Sequence, residues 1–345
     1  MTKKYKVVVL NDTRIEHHHG CSRVMNCIDY YLNRYAVDVG YITLNQDWQL
    51  SEVLKRQIVC ADIVMVNGEG TIHHNSNAGL ALVKVAGFAQ QYGVKSYLIN
   101  TTFQGNSASY RQHLLHFDKI YVRESYSQNA LAELGIDSEV VADLTFSVVA
   151  EQQRKLATNK IVVTDSVKKT ITDGLVKQLG EDEEVLFSSI FNNNITSEKS
   201  ISVLQRIINV YKNNSLLQVL NKLFKLVTAK EQSTLWQSQA SHIDYAHFLS
   251  QAELVICGRF HAMTICMNHG IAFLAIESNS HKISGTLTDI GLDLTRFLIT
   301  PEKVNKAMLA NFTLSTEERN LIEQYAEQAK LDIAAMFADM LASKC

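Results

Sequence analysis

The chain has 345 residues, of which 46% are hydrophobic and 20% charged, and its formal net charge is −2. This size and composition are typical of one or two globular domains, and a near-neutral charge without basic clusters argues against nucleic acid as the main partner. No apolar run reaches the roughly 18–20 residues that span a bilayer, and the N-terminus leads straight into a strand pattern, unlike a signal peptide. Six scattered cysteines favour reduced thiols, so we expect a cytoplasmic protein.

The first half of the chain alternates short apolar runs with helical patterns. Strands are predicted at residues 6–10, 37–43, 63–66, 95–100, 119–122 and 138–142, and helices at 21–33, 51–59, 78–92 and 125–134. Strands that alternate with helices indicate parallel pairing in a doubly wound sheet. The polar residues 151–160 are the predicted linker.

The same alternation restarts after this linker. Strands are predicted at residues 161–164, 185–188, 254–257 and 272–276, and helices at 168–179, 197–211, 215–227, 245–251 and after the strand at 254. Pro301 suits the first turn of a helix, and Ser315 with Glu318 forms the capping-box pattern that begins a long last helix. We therefore predict two Rossmann-like parallel-sheet domains, residues 1–150 and 151–345, that face each other across a cleft. The apolar stripe of the last helix should pack near their junction.

The most informative motif is the sequence that follows the strand at 254–257. Gly258 breaks the strand, and Arg259, Phe260 and His261 then lead into an almost uncharged helix. Ligands of open α/β sheets bind at the carboxyl ends of strands, and helix N-termini favour anions. The motif therefore predicts a place that holds a carboxylate or phosphate and moves a proton near it.

Other polar segments follow predicted strands and should reach the same cleft. Residues 67–74 contain Gly68 and Gly70, which let the backbone approach a ligand closely. Arg123 follows the strand at 119–122, and Lys282 lies in a polar stretch after the strand at 272–276. Residues 11–21, with Asp12 and three histidines, follow the first strand. Each segment alone is weak, and their shared topological position carries the prediction.

Together these motifs resemble the polysaccharide pyruvyl transferase family over most of the chain. The resemblance rests on Cys257-Gly258-Arg259-Phe260-His261-Ala262 with Gly270, Lys282, Gly285 and Asp289-Ile290-Gly291, and also on Val122-Arg123-Glu124-Ser125 and Ala142-Asp143-Leu144. It implies a GT-B-like fold and the transfer of a pyruvyl group from phosphoenolpyruvate onto sugar hydroxyls of a surface polysaccharide, as a ketal. Two loops depart from the family pattern: His17-His18-His19-Gly20-Cys21 replaces an Asn/Gly-Gly-Asp pattern, and Glu69 interrupts a loop that is usually all glycine.

Roles follow from this reaction and from side-chain chemistry. A histidine that titrates near neutral pH suits the proton donor to the methylene carbon, so His261 is the predicted general acid. Arginine holds carboxylate or phosphate in a bidentate fork. The predicted donor-binding residues are Arg123, Arg259, Phe260 and Lys282, of which the last three lie in the C-terminal, donor-side domain. The predicted acceptor-binding residues in the N-terminal domain are Asp12, His18, Glu69, His73 and His74. We expect no cofactor. We also expect no metal, because adjacent histidines usually point in different directions and no cysteine or carboxylate completes a tetrahedral ligand spacing.

Several alternatives stay open at this stage. The enzyme could be a GT-B glycosyltransferase that uses a nucleotide-activated, acidic sugar, with Glu69 or Asp12 as a catalytic carboxylate, or the chain could be a non-catalytic binding subunit. His261 could instead cap a helix, and Arg259 could pair structurally with a carboxylate such as Asp143. The acceptor could be a free or a lipid-linked saccharide, so association with the inner face of the membrane stays open. The oligomeric state stays open as well.

Overall fold

The computed structural model describes residues 5–35, 38–147, 160–192 and 236–342. The predicted helices at 197–211 and 215–227 lie outside these ranges, as does the predicted linker apart from Lys160. The domain boundary between residues 150 and 151 therefore stays a prediction.

The first sheet contains six parallel strands among the described residues, in the order β2-β1-β3-β4-β5-β6. Its strands are β1 Lys6–Asp12, β2 Asp38–Thr43, β3 Ile63–Asn67, β4 Lys95–Thr101, β5 Lys119–Val122 and β6 Glu139–Val140. Every residue of the central strand β3 is buried, as expected for a parallel sheet covered on both faces. The covering helices are α1 His19–Arg34, α2 Glu52–Val59, α3 Asn77–Gln91, α4 Arg111–Leu114 and α5 Ser125–Ala132.

The second sheet contains five described strands, also parallel, in the order β11-β10-β7-β8-β9. They are β7 Ile161–Thr164, β8 Val185–Ser189, β9 Trp236–Ser238, β10 Leu254–Cys257 and β11 Ala272–Ala275. The described helices of this half are α6 Lys169–Leu179, α7 His242–Ser250, α8 Phe260–Asn268, α9 Lys282–Ile290, α10 Leu294–Phe297, α11 Lys306–Ala310 and α12 Thr316–Ala342. The predicted architecture of two parallel-sheet α/β domains is confirmed. No helix in the described ranges is long and apolar enough to cross a membrane.

Element boundaries differ from the predictions at a few points. Helix α7 begins three residues earlier than predicted, because Ser241 caps it by accepting a hydrogen bond from the backbone N–H of Asp244. Strand β9 is an element that the sequence pattern did not predict. Pro301 lies at the start of a single 3₁₀ turn, Pro301–Lys303.

Helix α12 begins with the predicted capping box and returns to the first half of the chain. The backbone N–H of Ser315 donates to Glu318 Oε2 at 2.7 Å, and the N–H of Glu318 donates to Ser315 Oγ at 3.1 Å. Farther along, Phe337 stacks on Tyr31 of α1 with 4.4 Å between ring centroids. The prediction that this helix packs at the junction of the two halves is confirmed.

Candidate active site

The candidate site lies where the two sheets present their topological switch points to each other. The strand order reverses between β1 and β3 in the first sheet and between β7 and β10 in the second, and ligands of open α/β sheets bind at such points. The loops after these strands enclose a cavity of about 380 Å³. Its charged and histidine lining residues are Glu16, His18, Glu69, Arg123, Arg259, His261 and Lys282.

His261 occupies the first turn of α8, the position that the sequence predicted for it, and its side chain is 9% exposed. Helix α1 approaches it closely, because a Cβ atom on Gly20 would overlap the imidazole of His261. The His18 ring meets the same imidazole edge-on, with 5.3 Å between centroids. The imidazole is therefore held between the N-termini of helices from both halves.

Two carboxylates approach the same nitrogen of His261. Nε2 lies 3.2 Å from Glu69 Oε1 and 3.7 Å from Asp143 Oδ2. Among the described residues, neither Nε2 nor Glu69 Oε1 has a partner in well-aligned hydrogen-bond geometry, although both atoms are buried. Glu69 Oε1 is thus the nearer acidic atom and the one that remains available.

Asp143 is fully buried and serves as a fixed negative charge. Its carboxylate accepts hydrogen bonds from Arg123 Nη1 at 3.0 Å and from the backbone N–H of Thr145 at 2.9 Å. Burial alone would raise the pKa of Asp143, but the nearby His261 and Arg123 hold that pKa well below its usual range,. Asp143 therefore stays ionised beneath the imidazole.

The two predicted clamp arginines both have structural carboxylate partners. Arg123 is buried, pairs with Asp143, and lies over the Phe260 ring, with 5.2 Å from its guanidinium carbon to the ring centroid. Arg259 pairs with Asp165, at 2.6 Å between Nη2 and Oδ2, and not with Asp143, the partner considered from the sequence. Both guanidinium groups still line the cavity.

Lys282 is the cavity-lining cation that has no carboxylate within ion-pair distance in the described part of the chain. Its Nζ lies 5.9 Å from the Phe260 ring centroid and 3.3 Å from Asn279 Oδ1. Burial, and then repulsion by Arg123, lower the pKa of Lys282 to about 8. A partly desolvated ammonium beside two arginines is suited to an anionic ligand.

The predicted acceptor residues separate into two groups. His18 and Glu69 line the cavity, whereas Asp12, His73 and His74 are not among its lining residues. The Asp12 carboxylate instead pairs with Arg14 at 2.6 Å, and the two neighbouring histidines contact each other through their Nδ1 atoms at 2.9 Å. The structure thus brings two of the five acceptor residues to the cavity.

His18 has a second function as a helix cap. Its Nδ1 accepts from the backbone N–H groups of Gly20 at 3.1 Å and Cys21 at 3.4 Å. Burial, and then the charge on His261, hold the pKa of His18 well below its usual range. His18 is therefore neutral at physiological pH, and its Nε2 carries the proton.

Sequence reasoning gave no function in the site to Thr13, Asp143 or Asp165. Thr13 lies in the segment 11–21 that we expected at the cleft, and Asp143 follows the strand predicted at 138–142 but was a candidate only for a structural ion pair. Asp165 was missed, although it directly follows β7, so the signal that found the other polar segments could have found it too,. In the described ranges, no three His, Cys, Asp or Glu side chains group as metal ligands would.

Comparison with known proteins agrees with this architecture. The family model described as polysaccharide pyruvyl transferase matches residues 18–280, and no curated protein matches the chain. A putative UDP-N-acetylglucosamine 2-epimerase from Listeria monocytogenes has a similar structure, with a TM-score of 0.53 at 13% identity, covering 98% of this chain and 96% of that chain. Anabaena Alr3699/HepE, solved with UDP and glucose, has a TM-score of 0.53 at 12% identity and covers 98% of this chain and 100% of that chain. At these identities the structures show a shared GT-B fold only.

Proposed function

The chain belongs to the polysaccharide pyruvyl transferase family and is a transferase, and from that premise we propose that it transfers the pyruvyl group of phosphoenolpyruvate to two hydroxyls of one sugar residue. The product is a cyclic ketal on a surface polysaccharide or its precursor. The observation that carries this proposal is the cavity wall on which the His261 imidazole lies beside Arg259, Arg123 and Lys282. This wall combines a proton donor with an anion site.

The donor suits that wall in charge and shape. Phosphoenolpyruvate carries a carboxylate and a phosphate close together, and the wall offers two planar guanidinium groups and one ammonium. Lys282 is the cation best able to gain from an anion, because its charge lacks a carboxylate partner among the described residues. Arg123 and Arg259 contribute from fixed positions, since Asp143 and Asp165 hold them.

The chemistry requires one proton donor and two departing protons. His261 delivers a proton to the methylene carbon of the donor, and positive character develops on the adjacent carbon. A sugar hydroxyl attacks that carbon and loses its proton. Phosphate then leaves, and a second hydroxyl of the same sugar bonds to the carbon and closes the ketal.

The acceptor lies on the side of the cavity formed by the first sheet. His18 and Glu69 can contact sugar hydroxyls there, since both line the cavity. Asp12, His73 and His74 do not line the cavity and have no part in this proposal. With a lipid-linked saccharide as acceptor, the enzyme would work at the inner face of the membrane.

A transfer assay tests the proposal. The protein is incubated with carbon-14-labelled phosphoenolpyruvate and a panel of p-nitrophenyl glycosides that offer 1,2- or 1,3-diols, and released phosphate and acid-labile label on the glycoside are measured. We expect the two products in equal amounts. Release of UDP or CMP from a nucleotide sugar, with no phosphate from phosphoenolpyruvate, would establish glycosyl transfer instead.

A further inference from the structure

We infer that Glu69 is a catalytic base, which takes the proton from the attacking acceptor hydroxyl and returns protons to His261. This inference deepens the proposed function, because it concerns the same cavity and requires a hydroxyl nucleophile. It does not depend on which donor supplies the transferred group.

The position of Glu69 is that of a group ready to exchange protons. The residue is only 4% exposed, yet it lines the cavity. Its Oε1 lies 3.2 Å from His261 Nε2, and both atoms are buried without a well-aligned hydrogen-bond partner in the described ranges. Buried polar atoms are usually paired, so the unused capacity points to a ligand hydroxyl or a shared proton.

The second carboxylate at His261 cannot have this function. Asp143 does not line the cavity, and its oxygens already accept from Arg123 and from the backbone of Thr145. Its pKa is held well below the usual range despite burial, by His261 and Arg123, so it remains an anion throughout. Asp143 therefore stabilises the protonated imidazole, and Glu69 is the carboxylate left to move a proton.

The surrounding loop fixes Glu69 in place. Thr13 Oγ1 donates to Glu69 Oε2 at 2.9 Å, and the backbone N–H of Glu69 donates to Asn67 Oδ1 at 3.2 Å. Thr71 Oγ1 donates to the carbonyl of Glu69 at 2.8 Å, and Asn11 Nδ2 donates to the carbonyl of Asn67 at 2.6 Å. One oxygen of Glu69 is thus anchored while the other faces His261.

The proton balance of the reaction closes with this pair. In the addition step, His261 loses a proton to the methylene carbon and Glu69 gains one from the hydroxyl as the oxygen–carbon bond forms. Transfer from Glu69 Oε1 to His261 Nε2 across 3.2 Å restores the starting state. When the second hydroxyl attacks and the carbon–oxygen bond to phosphate breaks, Glu69 accepts that proton too and releases it with the products.

The first experiment compares Glu69→Gln with Glu52→Gln in the transfer assay, using the p-nitrophenyl glycoside that the wild type converts fastest. Both variants remove one negative charge, but Glu52 lies on α2, does not line the cavity and has a side chain that is 83% exposed. We expect Glu69→Gln to lose about 10²–10⁴-fold in kcat, and Glu52→Gln to keep nearly all of its activity. The affinity for phosphoenolpyruvate, measured by calorimetry, should stay within about threefold in both.

A second experiment separates a base from a structural residue. Glu69→Ala leaves a space that formate can enter. If a carboxylate is the missing base, added formate should raise the kcat of this variant at least about tenfold over its value without formate. Full activity of Glu69→Gln would overturn the inference. So would a folded Glu69→Ala whose low activity does not change when formate is added. Should the wild type use a nucleotide sugar, the proposed donor fails, and the same variants in that assay still decide the function of Glu69.

Discussion

Among single residues, His261 lies in the first turn of α8, as predicted, and neighbouring residues confine its ring on several sides. Its imidazole is buried between Gly20, His18, Glu69 and Asp143. We expect His261→Gln to keep the fold and most donor affinity but to lose about 10²–10⁴-fold in turnover, because an amide cannot act as an acid near neutral pH. The test measures turnover and melting temperature of His261→Gln. The control is His113→Gln, on the short helix α4. A fall in melting temperature with turnover nearly intact would identify a structural histidine.

Lys282 supplies a prediction about pH. Burial and the charge of Arg123 lower the pKa of Lys282 to about 8, so the ammonium form, which attracts the donor, is lost as the pH rises through that value. We expect the dissociation constant for phosphoenolpyruvate to be flat below pH 7.5 and to rise about tenfold per unit above pH 8. Lys282→Arg keeps its charge over this range and should bind with little pH dependence. Calorimetry between pH 6.5 and 9.5 measures both, and parallel curves for the two proteins would remove Lys282 from the donor site.

At the scale of elements, the site depends on how closely helices α1 and α8 approach each other. Gly20 at the start of α1 leaves room for the His261 ring, and a Cβ there would overlap it. Gly20→Ala should therefore displace the imidazole and lower kcat at least about tenfold. Gly40→Ala in β2 is the matched control, because its Cβ would meet only a Val8 methyl group at an ordinary 3.7 Å. Equal turnover of the two variants would show that the contact is not critical.

The strands of the site were predictable from the sequence, but its ion pairs were not. Strands β3 and β10 are short apolar runs that end in glycine loops, so their places and the polar residues after them were predictable. Arg123 and Arg259 were found because they come within two residues of the ends of β5 and β10, and Lys282 because it lies in the polar stretch after β11. The ion pairs of Arg123 with Asp143 and of Arg259 with Asp165 were not predictable, because each joins segments whose relative position depends on tertiary packing. Strand patterns also do not reveal that Arg14, in the turn after β1, pairs with the Asp12 carboxylate, and that Asp12 does not line the cavity.

At the scale of the whole molecule, the site is assembled from loops of two sheets. Catalysis therefore requires that the two halves keep their relative position. Direct hydrogen bonds between the halves contribute: Asn268 Nδ2 donates to the carbonyl of Thr145 at 2.9 Å, and Thr145 Oγ1 donates to Thr264 Oγ1 at 2.8 Å. One hydrophobic cluster also continues from α1 through α8 to α12. Helix α12 therefore acts as a clamp between the halves, because its buried residues share this cluster with residues of α1 and α8.

The contact between Phe337 and Tyr31 tests this clamp. Phe337 is fully buried and stacks on Tyr31 of α1, so Phe337→Ala should lower the free energy of unfolding by about 3–5 kcal/mol. Leu331→Ala on the same helix removes a side chain that is 64% exposed and should change it by less than about 0.5 kcal/mol. Urea unfolding followed by circular dichroism and by tryptophan fluorescence measures both. If the helix joins the two halves, the two probes should shift together in Phe337→Ala, and turnover should fall at urea concentrations that leave the wild type active. An unchanged midpoint in Phe337→Ala would show instead that the interface around α8 holds the halves together without this helix.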